Sequence, residues 1–496
     1  MNPKTQRLTF FEKTGYAFGD AASNLFWMTF IYFQINFYTD VFFYTPDAAL
    51  ERTLLEKLGA LLLLTRVLDM GFDLFMGVLG DRTKTRWGKF RPYLLWFAVP
   101  FGIISVLTFT TPAFSPNGKL IYAYITLCLM MMVYSAINIP YSALMGVISA
   151  DSQERTSVSS YRFAFAFGAG LVVQYLTLYL VDYFGRVKPE MSGALLAAAK
   201  AHGYQLTMGI YAVAAMTLFF LTFALTHERV QPFHEKSTLS QDLKDLVSNV
   251  PWLILFSMGT LTVCAVAIRS GAILYYFKYY VSEQSVYFLH FHVGHYFFQH
   301  NVGGKELPGL FMVAGTLMSL LGTIFIQHVT KFAGRKATYI GLASLGALFL
   351  VVSYWVKPEQ VVLMFVFQVL YSAVTGPTSA VLWAMFADSA DYSECCTGRR
   401  ATGLVFSAAG MSNKLGWSIG GPVIVWLLAI FGYQANVPQT PHALQGILLL
   451  FTVIPAAGFL LTGAGMLFYP LNETRMKKIQ GDLQARQVKA AAMESA

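Results

Sequence analysis

Long, nearly unbroken apolar stretches fill this chain, and short polar segments separate them. A bilayer core about 30 Å thick takes about 20 apolar residues per helix, because lipid offers no partner to an unpaired backbone N–H or C=O. By that measure the pattern predicts twelve membrane-spanning helices, near 15–43, 58–80, 92–111, 119–148, 161–184, 204–226, 251–281, 307–330, 338–356, 361–386, 402–430 and 443–470. An even count puts both termini on one side. The polar stretch 227–250 divides the spans six and six, so the expected organisation is a first bundle over 1–226, a central cytoplasmic loop over 227–250, a second bundle over 251–470 and a cytoplasmic tail over 471–496.

The two halves also share residues in register. The shift that carries Pro140 onto Pro377 carries Ser142, Ala143, Ala150, Asp151 and Ser152 onto Ser379, Ala380, Ala387, Asp388 and Ser389. Repeated six-helix halves are the architecture of the major facilitator fold, in which the site lies near mid-membrane. The expected class is therefore an all-α, polytopic membrane protein with two pseudo-symmetric halves.

Composition agrees with that expectation and removes its alternatives. Of 496 residues 56% are hydrophobic, 16% aromatic and only 12% charged, whereas soluble domains carry roughly a quarter charged residues. Mean hydropathy is +0.53. The four cysteines lack the paired spacing of a zinc site or a disulfide scaffold: Cys128 and Cys264 lie in apolar runs, and Cys395 and Cys396 are adjacent in a polar loop. The opening MNPKTQRLTFFEKTGYAFGD lacks the pattern of a cleaved signal peptide, so the first span is expected to stay. Most of the 35 Lys and Arg fall in segments on the side of the termini, which assigns that side to the cytoplasm. The net charge of +9 thus records topology, and no nucleic acid is needed to explain it.

Charges at membrane depth are costly and tend to face a partner or a water-filled cavity. In the second span Arg66, Asp69 and Asp73 are spaced three and four apart and share one helical face. Two carboxylates and one guanidinium leave a net negative charge that a monovalent cation would neutralise. Carboxylate oxygens suit sodium, and paired acids can share a proton; the alternative is a structural ion-pair stripe. Asp20 and Asn24, one turn apart in the first span, offer donors and acceptors to a polar ligand or to a neighbouring helix. Arg162 opens the fifth span, where it can bind substrate or reach the interface, and Lys414 lies well inside the eleventh. Trp383 in the repeat-related tenth span could form a flat wall for a sugar ring. Arg269 and Lys278 sit toward the outer half of the seventh span, where function and simple reach to the interface both account for them. Asp81 with the basic cluster Arg82, Lys84, Arg86, Lys89 and Arg91 suggests an inward gate or a pure topology signal. The loop histidines His290, His292, His295 and His300 have no interleaved acid or thiol, and their aromatic neighbours suit an interfacial segment better than a metal site.

Several of these runs occur together in one known family. RVLDMGFDLFMGVLGDRTKTRWGKFRPYLLW, GYAFGDAASNLFWMTFIYFQINFYTDVFF, INIPYSALMGVISADSQERTSVSSYRF and ADSADYSECCTGRRATG resemble, in family order over nearly the whole chain, the glycoside-pentoside-hexuronide:cation symporters, the group that includes melibiose permease. The resemblance implies sodium- or proton-coupled symport of a sugar or glycoside by alternating access, with no other cofactor. It implies a cation held by Asp69 and Asp73, Arg162 in the place of a sugar-contacting arginine, and Lys414 in the place of a lysine near the coupling acids. Asn24 and Asn138 stand where some members carry a sugar-binding and a cation-proximal carboxylate, and Ser142 stands where one carries a tryptophan. Animal relatives move lysophospholipids, so a non-sugar solute is the alternative cargo. A membrane enzyme would need a nucleophile–base pair or a metal cluster at one depth, and no such constellation occurs; a receptor would fit the spans but brings no signalling domain. The expected protein is a monomeric, multi-pass carrier of the bacterial cytoplasmic membrane, surrounded by lipid and binding a small molecule.

Overall fold

The structure, a computed structural model, describes residues 8–149, 152–188, 190–229, 247–281, 286–293, 296–302, 306–397, 402–479 and 481–482. In chain order the helices are α1 (Phe10–Phe37), α2 (Ala48–Arg82), α3 (Arg91–Thr108), α4 (Pro116–Ile148), α5 (Ser152–Gly185), α6 (Gly193–Leu225), α7 (Val250–Tyr275), α8 (Leu307–Ala333), α9 (Arg335–Ser353), α10 (Val361–Thr397), α11 (Thr402–Ile430), α12 (Pro441–Phe451) and α13 (Val453–Leu467). α1 and α7 each run on into one π-helical turn, Tyr38–Phe42 and Tyr276–Tyr280.

Among the described residues ten helices are long and apolar enough to cross a membrane. α12 and α13 count there as one crossing over Pro441–Leu467. They part at Thr452, just before Pro455, whose ring cannot continue the ladder. α1 and α2 have the length, 28 and 35 residues, but not the apolarity. Asp20, Asn24, Gln34 and Asn36 dilute α1, and Arg66, Asp69 and Asp73 dilute α2. The residues that weaken the membrane signal are the candidates for chemistry. Rows of exposed apolar side chains, such as Leu317, Leu321, Ile324 and Phe325 on α8, form the kind of surface that suits lipid rather than water.

Local signals start the first helices. Thr9 caps α1 in a reciprocal capping box with Glu12, and Asp47 accepts from the Ala49 and Leu50 N–H groups at the start of α2. The repeat-related Pro140 and Pro377 both lie inside helices, α4 and α10, where each removes one backbone hydrogen bond.

The chain packs as two compact units. The first comprises Met1–His234, Ser270–Val313 and Gly421–Ile447; the second comprises Glu235–Arg269, Ala314–Gly420 and Leu448–Ala496. The cut near residue 234 falls in the polar segment between the halves, whereas Ser270 and Gly421 lie inside α7 and α11. In the first unit α1 packs on α5 and α6, α3 on α4 and α6, and α2 on α4. In the second, α9 packs on α10 and α13.

Two loops show the repeat at atomic detail. Gly88 has φ +110° and precedes α3; the Glu228 carboxylate, just beyond α6, accepts the Lys89, Phe90 and Arg91 N–H groups at 2.8, 2.7 and 3.0 Å. A β-carbon at residue 88 would sit 2.4 Å from that carboxyl carbon, so glycine is required on both counts. In the second unit Gly334 has φ +78° and precedes α9, and Glu473 beyond α13 accepts the Arg335 N–H at 3.2 Å. In both units a carboxylate meets the positive end of a helix.

One short element adds to the all-α fold. The loop after α7 forms an antiparallel hairpin, β1 (Val286–Val293) and β2 (Tyr296–Val302), paired from Val286 with Val302 to Val293 with Tyr296. The aromatic and β-branched content of VYFLHFHV and YFFQHNV, dense enough to suggest an interfacial segment, also favours strands. The side chains of His290, His292, His295 and His300 lie outside the described residues, as do residues 483–496 of the tail.

Candidate functional site

Within the first unit, α1, α2, α4 and α5 bring most of the sequence candidates into two polar clusters. The first joins Asp20 to Arg162 in a salt bridge from the Arg162 Nε to Asp20 Oδ2. This answers the choice left open for Arg162: the side chain turns to a buried acid rather than to the membrane surface. Asp20 is 7% exposed, and the guanidinium also lies 5.6 Å from the Tyr141 ring centre. The Tyr141 ring stacks on Tyr16 at 4.6 Å, and each hydroxyl donates to the other's backbone carbonyl, at 3.0 Å from Tyr16 and 2.8 Å from Tyr141. Gly19 allows this approach, since a β-carbon there would lie 2.4 Å from the Tyr141 ring. A doubly bonded aromatic pair thus fixes α1 against α4 beside the charge pair.

Asn24 donates its amide to the Asp20 carbonyl at 2.8 Å, one turn back on its own helix. Its side-chain oxygen keeps acceptor capacity. Trp27 continues the same α1 face and stacks on Tyr134 at 5.2 Å and on Phe30 at 5.6 Å. Gln34 lies two turns further along that stripe, is 2% exposed, and its amide nitrogen has no partner among the described residues. In the sequence nothing marks Gln34, since a glutamine in a span carries no charge.

The second cluster surrounds Asp69 on α2. Its carboxylate is 4% exposed and accepts the Ser135 hydroxyl of α4 at 2.8 Å. Arg66 directs its guanidinium to aromatic faces, 4.4 Å from the Phe30 ring centre and 5.3 Å from that of Trp27, with Nη1 3.4 Å from the Met131 sulfur. Asp73, one turn along α2, is half-buried. Asn138 accepts from the Ser23 hydroxyl at 3.0 Å and donates to the Tyr134 carbonyl at 3.0 Å, linking α4 to α1. Ser135 and Ser23 carry no sequence signal; only helix packing brings Ser135 to Asp69 and Ser23 to Asn138.

The gate candidates divide. Arg86 stacks over Trp87 at 4.5 Å, and Arg91 stacks over Phe223 at 4.8 Å while donating to the Phe223 carbonyl at 2.6 Å. Arg82 is exposed, and the Asp81 side chain lies outside the described residues. Together with the Glu228 cap, these contacts hold the α2–α3 loop to the end of α6.

The second unit contains Trp383 and Lys414. Trp383 is 37% exposed and meets Phe386 edge-on at 6.2 Å. Lys414 is half-buried on α11, where Ser418 donates to its backbone carbonyl at 2.6 Å. Arg269 is buried between the rings of Tyr371 at 4.1 Å and Phe451 at 4.6 Å and donates to Gln368 at 2.7 Å.

Known proteins place this geometry in context. The family model described as MFS/sugar transport protein matches residues 15–294 and 284–473. The chain is 33% identical over 486 residues to YagG of Escherichia coli (strain K12), whose name assigns it provisionally as a glycoside/cation symporter; the match covers 96% of this chain and 95% of that one. It is 31% identical over 489 residues to the isoprimeverose transporter of Lactiplantibacillus pentosus, covering 97% and 93%. A glucuronide carrier protein homolog of Escherichia coli (strain K12) is 29% identical, with 97% of each chain covered. Among solved structures a D-xylose-proton symporter superposes with a TM-score of 0.60 at 12% identity, covering 92% of this chain and 97% of that one, which supports the fold alone.

Proposed function

The chain belongs to the family of MFS/sugar transport proteins, and from that premise we propose that it carries a sugar or glycoside across a membrane together with a cation, by alternating access. It is a multi-pass membrane transporter and not an enzyme. The observation that carries the reading is the sorting of buried acids within one helical unit. Asp69 accepts the Ser135 hydroxyl beside Arg66 and Asp73 on one face of α2, and Asp20 is joined to Arg162 beside Asn24.

We assign the coupling cation, sodium or a proton, to Asp69 and Asp73, with Asn138 nearby on the α1–α4 link. Oxygen donors suit a hard monovalent ion, and a carboxylate pair suits a shared proton. Sugar hydroxyls are assigned to Asp20, Asn24 and Arg162, whose remaining donors and lone pairs match a polyol. Because Asp20 already balances Arg162, this cluster favours an uncharged glycoside over a hexuronide. Trp383 and Lys414 remain substrate candidates on the family resemblance. Ion binding favours the substrate-ready state only through its differential affinity for that state, and the coupling is reciprocal, typically about 1–3 kcal/mol.

The test is uptake into proteoliposomes of a panel of uncharged glycosides and hexuronides, with a sodium gradient or a pH gradient imposed separately. One gradient is expected to drive accumulation of a glycoside. Asp73→Asn is expected to abolish gradient-driven accumulation while leaving substrate exchange in place. A variant that concentrates substrate normally removes Asp73 from the ion site.

A further inference from the structure

Another buried acid carries no signal in the sequence, yet both of its carboxylate oxygens are bonded. Asp40, in the π turn that ends α1, is 1% exposed. Lys278, in the π turn that ends α7, forms a salt bridge with its Oδ2. Tyr279 donates to the same oxygen at 3.1 Å, and Tyr433 and Thr39 donate to Oδ1 at 2.5 and 2.7 Å. Asn436, in the segment after α11, donates its amide to the Asp40 backbone carbonyl at 2.7 Å and accepts from Lys278 at 2.6 Å. Its own N–H donates to the Tyr279 hydroxyl at 2.9 Å. It does so at φ +59°, a left-handed conformation that asparagine tolerates better than most residues. Nearby, the Ala435 N–H donates to Glu51 at 2.7 Å, and the Trp426 indole donates to the Glu56 carbonyl at 3.3 Å.

Every one of these bonds lies inside the first packing unit, yet those from Lys278, Tyr279, Tyr433 and Asn436 to Asp40, from Ala435 to Glu51 and from Trp426 to Glu56 join the first six helices to segments of the second sequence half. Lys278 and Tyr279 follow α7; Tyr433, Ala435 and Asn436 follow α11. This explains why Ser270–Val313 and Gly421–Ile447 pack with α1–α6 rather than with the rest of α7 and α11. Asp40 lies 20 residues beyond Asp20 along α1, about 30 Å at helical rise, at the end remote from the N-terminus. On the orientation expected from the charge distribution, that end faces outward.

We propose that Asp40, Lys278 and Asn436 form a latch that holds the outward side of the transport path shut and must come apart each time the carrier opens outward. A transporter of two repeated halves exposes its site to one side by parting those halves at that side. The bonds that bridge the halves there are therefore the ones whose loss favours opening. The carboxylate is buried and the ammonium half-buried, with their hydrogen-bond capacity well used, so removing the ammonium alone leaves an uncompensated buried carboxylate, whereas removing both charges does not. The inference rests on the transporter reading, but its test needs no substrate.

In full-length protein with the four natural cysteines changed to serine, spin labels at Phe114→Cys and Val437→Cys report the separation of the two halves at this end. Asp40→Asn, and the charge-free double variant Asp40→Asn with Lys278→Met, are expected to shift that distance toward longer values. The double variant keeps the test open should Asp40→Asn alone fail to fold. Asp40→Cys with Asn436→Cys, oxidised to a disulfide, is expected to hold the short distance and stop transport, and a reductant is expected to restore it. Unchanged distances in both charge variants, or undiminished transport through the cross-linked protein, would overturn the latch. Labels that separate as expected in a protein that moves no sugar under any gradient would sink the transport reading and leave the latch standing.

Discussion

Asp20 and Asp40 sit on the same helix and each pairs with a distant cation, but their surroundings differ in kind. Asp20 receives one charged donor, Arg162, whose side chain remains 30% exposed. Asp40 receives four donors over its two oxygens, and its lysine is also bound by Asn436. A pair with unused donors and acceptors can take a ligand; a saturated pair can only hold or let go. On the proposed reading, an acid paired with a base serves recognition at Asp20 and closure at Asp40, and the number of partners decides which.

The largest expected effect belongs to the open pair. Arg162→Ala removes charge-assisted hydrogen bonds worth about 1.5–3 kcal/mol, or about 10- to 150-fold in substrate affinity. Cation affinity, measured without substrate by calorimetry, is expected to stay nearly constant. Equal losses of both would mean that Arg162 supports the bundle as a whole, as Lys278 does, and would erase the distinction drawn from the partner count.

Asp20→Asn comes next. It leaves Arg162 without its counter-charge, so the cluster gains a preference for anions as its affinity for uncharged glycoside falls. Hexuronide should compete against labelled glycoside about tenfold better relative to the parent protein, a shift of about 1.4 kcal/mol in specificity. No change in that ratio would show that Asp20 does not tune the charge of the site.

The same contrast explains what could be seen in the sequence. Asp69, Asp73 and Lys414 stood out because a charge deep in a span is expensive wherever it points. Arg162 and Lys278 lie near span ends, where reaching the interface is cheap, so only their partners separate the alternatives. Those partners are 142 and 238 residues away. Register over Pro140 and Pro377 revealed the repeat, but the matched caps of Glu228 and Glu473 depend on positive-φ glycines that look like any loop glycine. The hairpin escaped for a related reason: between two spans, a run of aromatics suits the interface as readily as a strand.

The smallest expected effect concerns the rim of the latch. Glu51 precedes the second span, and burial pushes its carboxyl up to about 7; the Ala435 N–H pulls it down and nearby Asp40 pushes it further up. A carboxyl whose pKa is raised in the latched state holds its proton more tightly there than when the rim is open and solvated. Latching is therefore favoured below about pH 7 and is progressively penalised as pH rises from the ordinary carboxylate range through that value. Spin-label distances measured from pH 5 to pH 8 should accordingly drift toward the open value as pH rises. Glu51→Gln keeps an acceptor for Ala435 but cannot ionise, so it should flatten the drift without releasing the latch. A drift of the same size in Glu51→Gln would place the titrating group elsewhere, and a drift of opposite sign would mean that the closed rim stabilises the carboxylate rather than the acid.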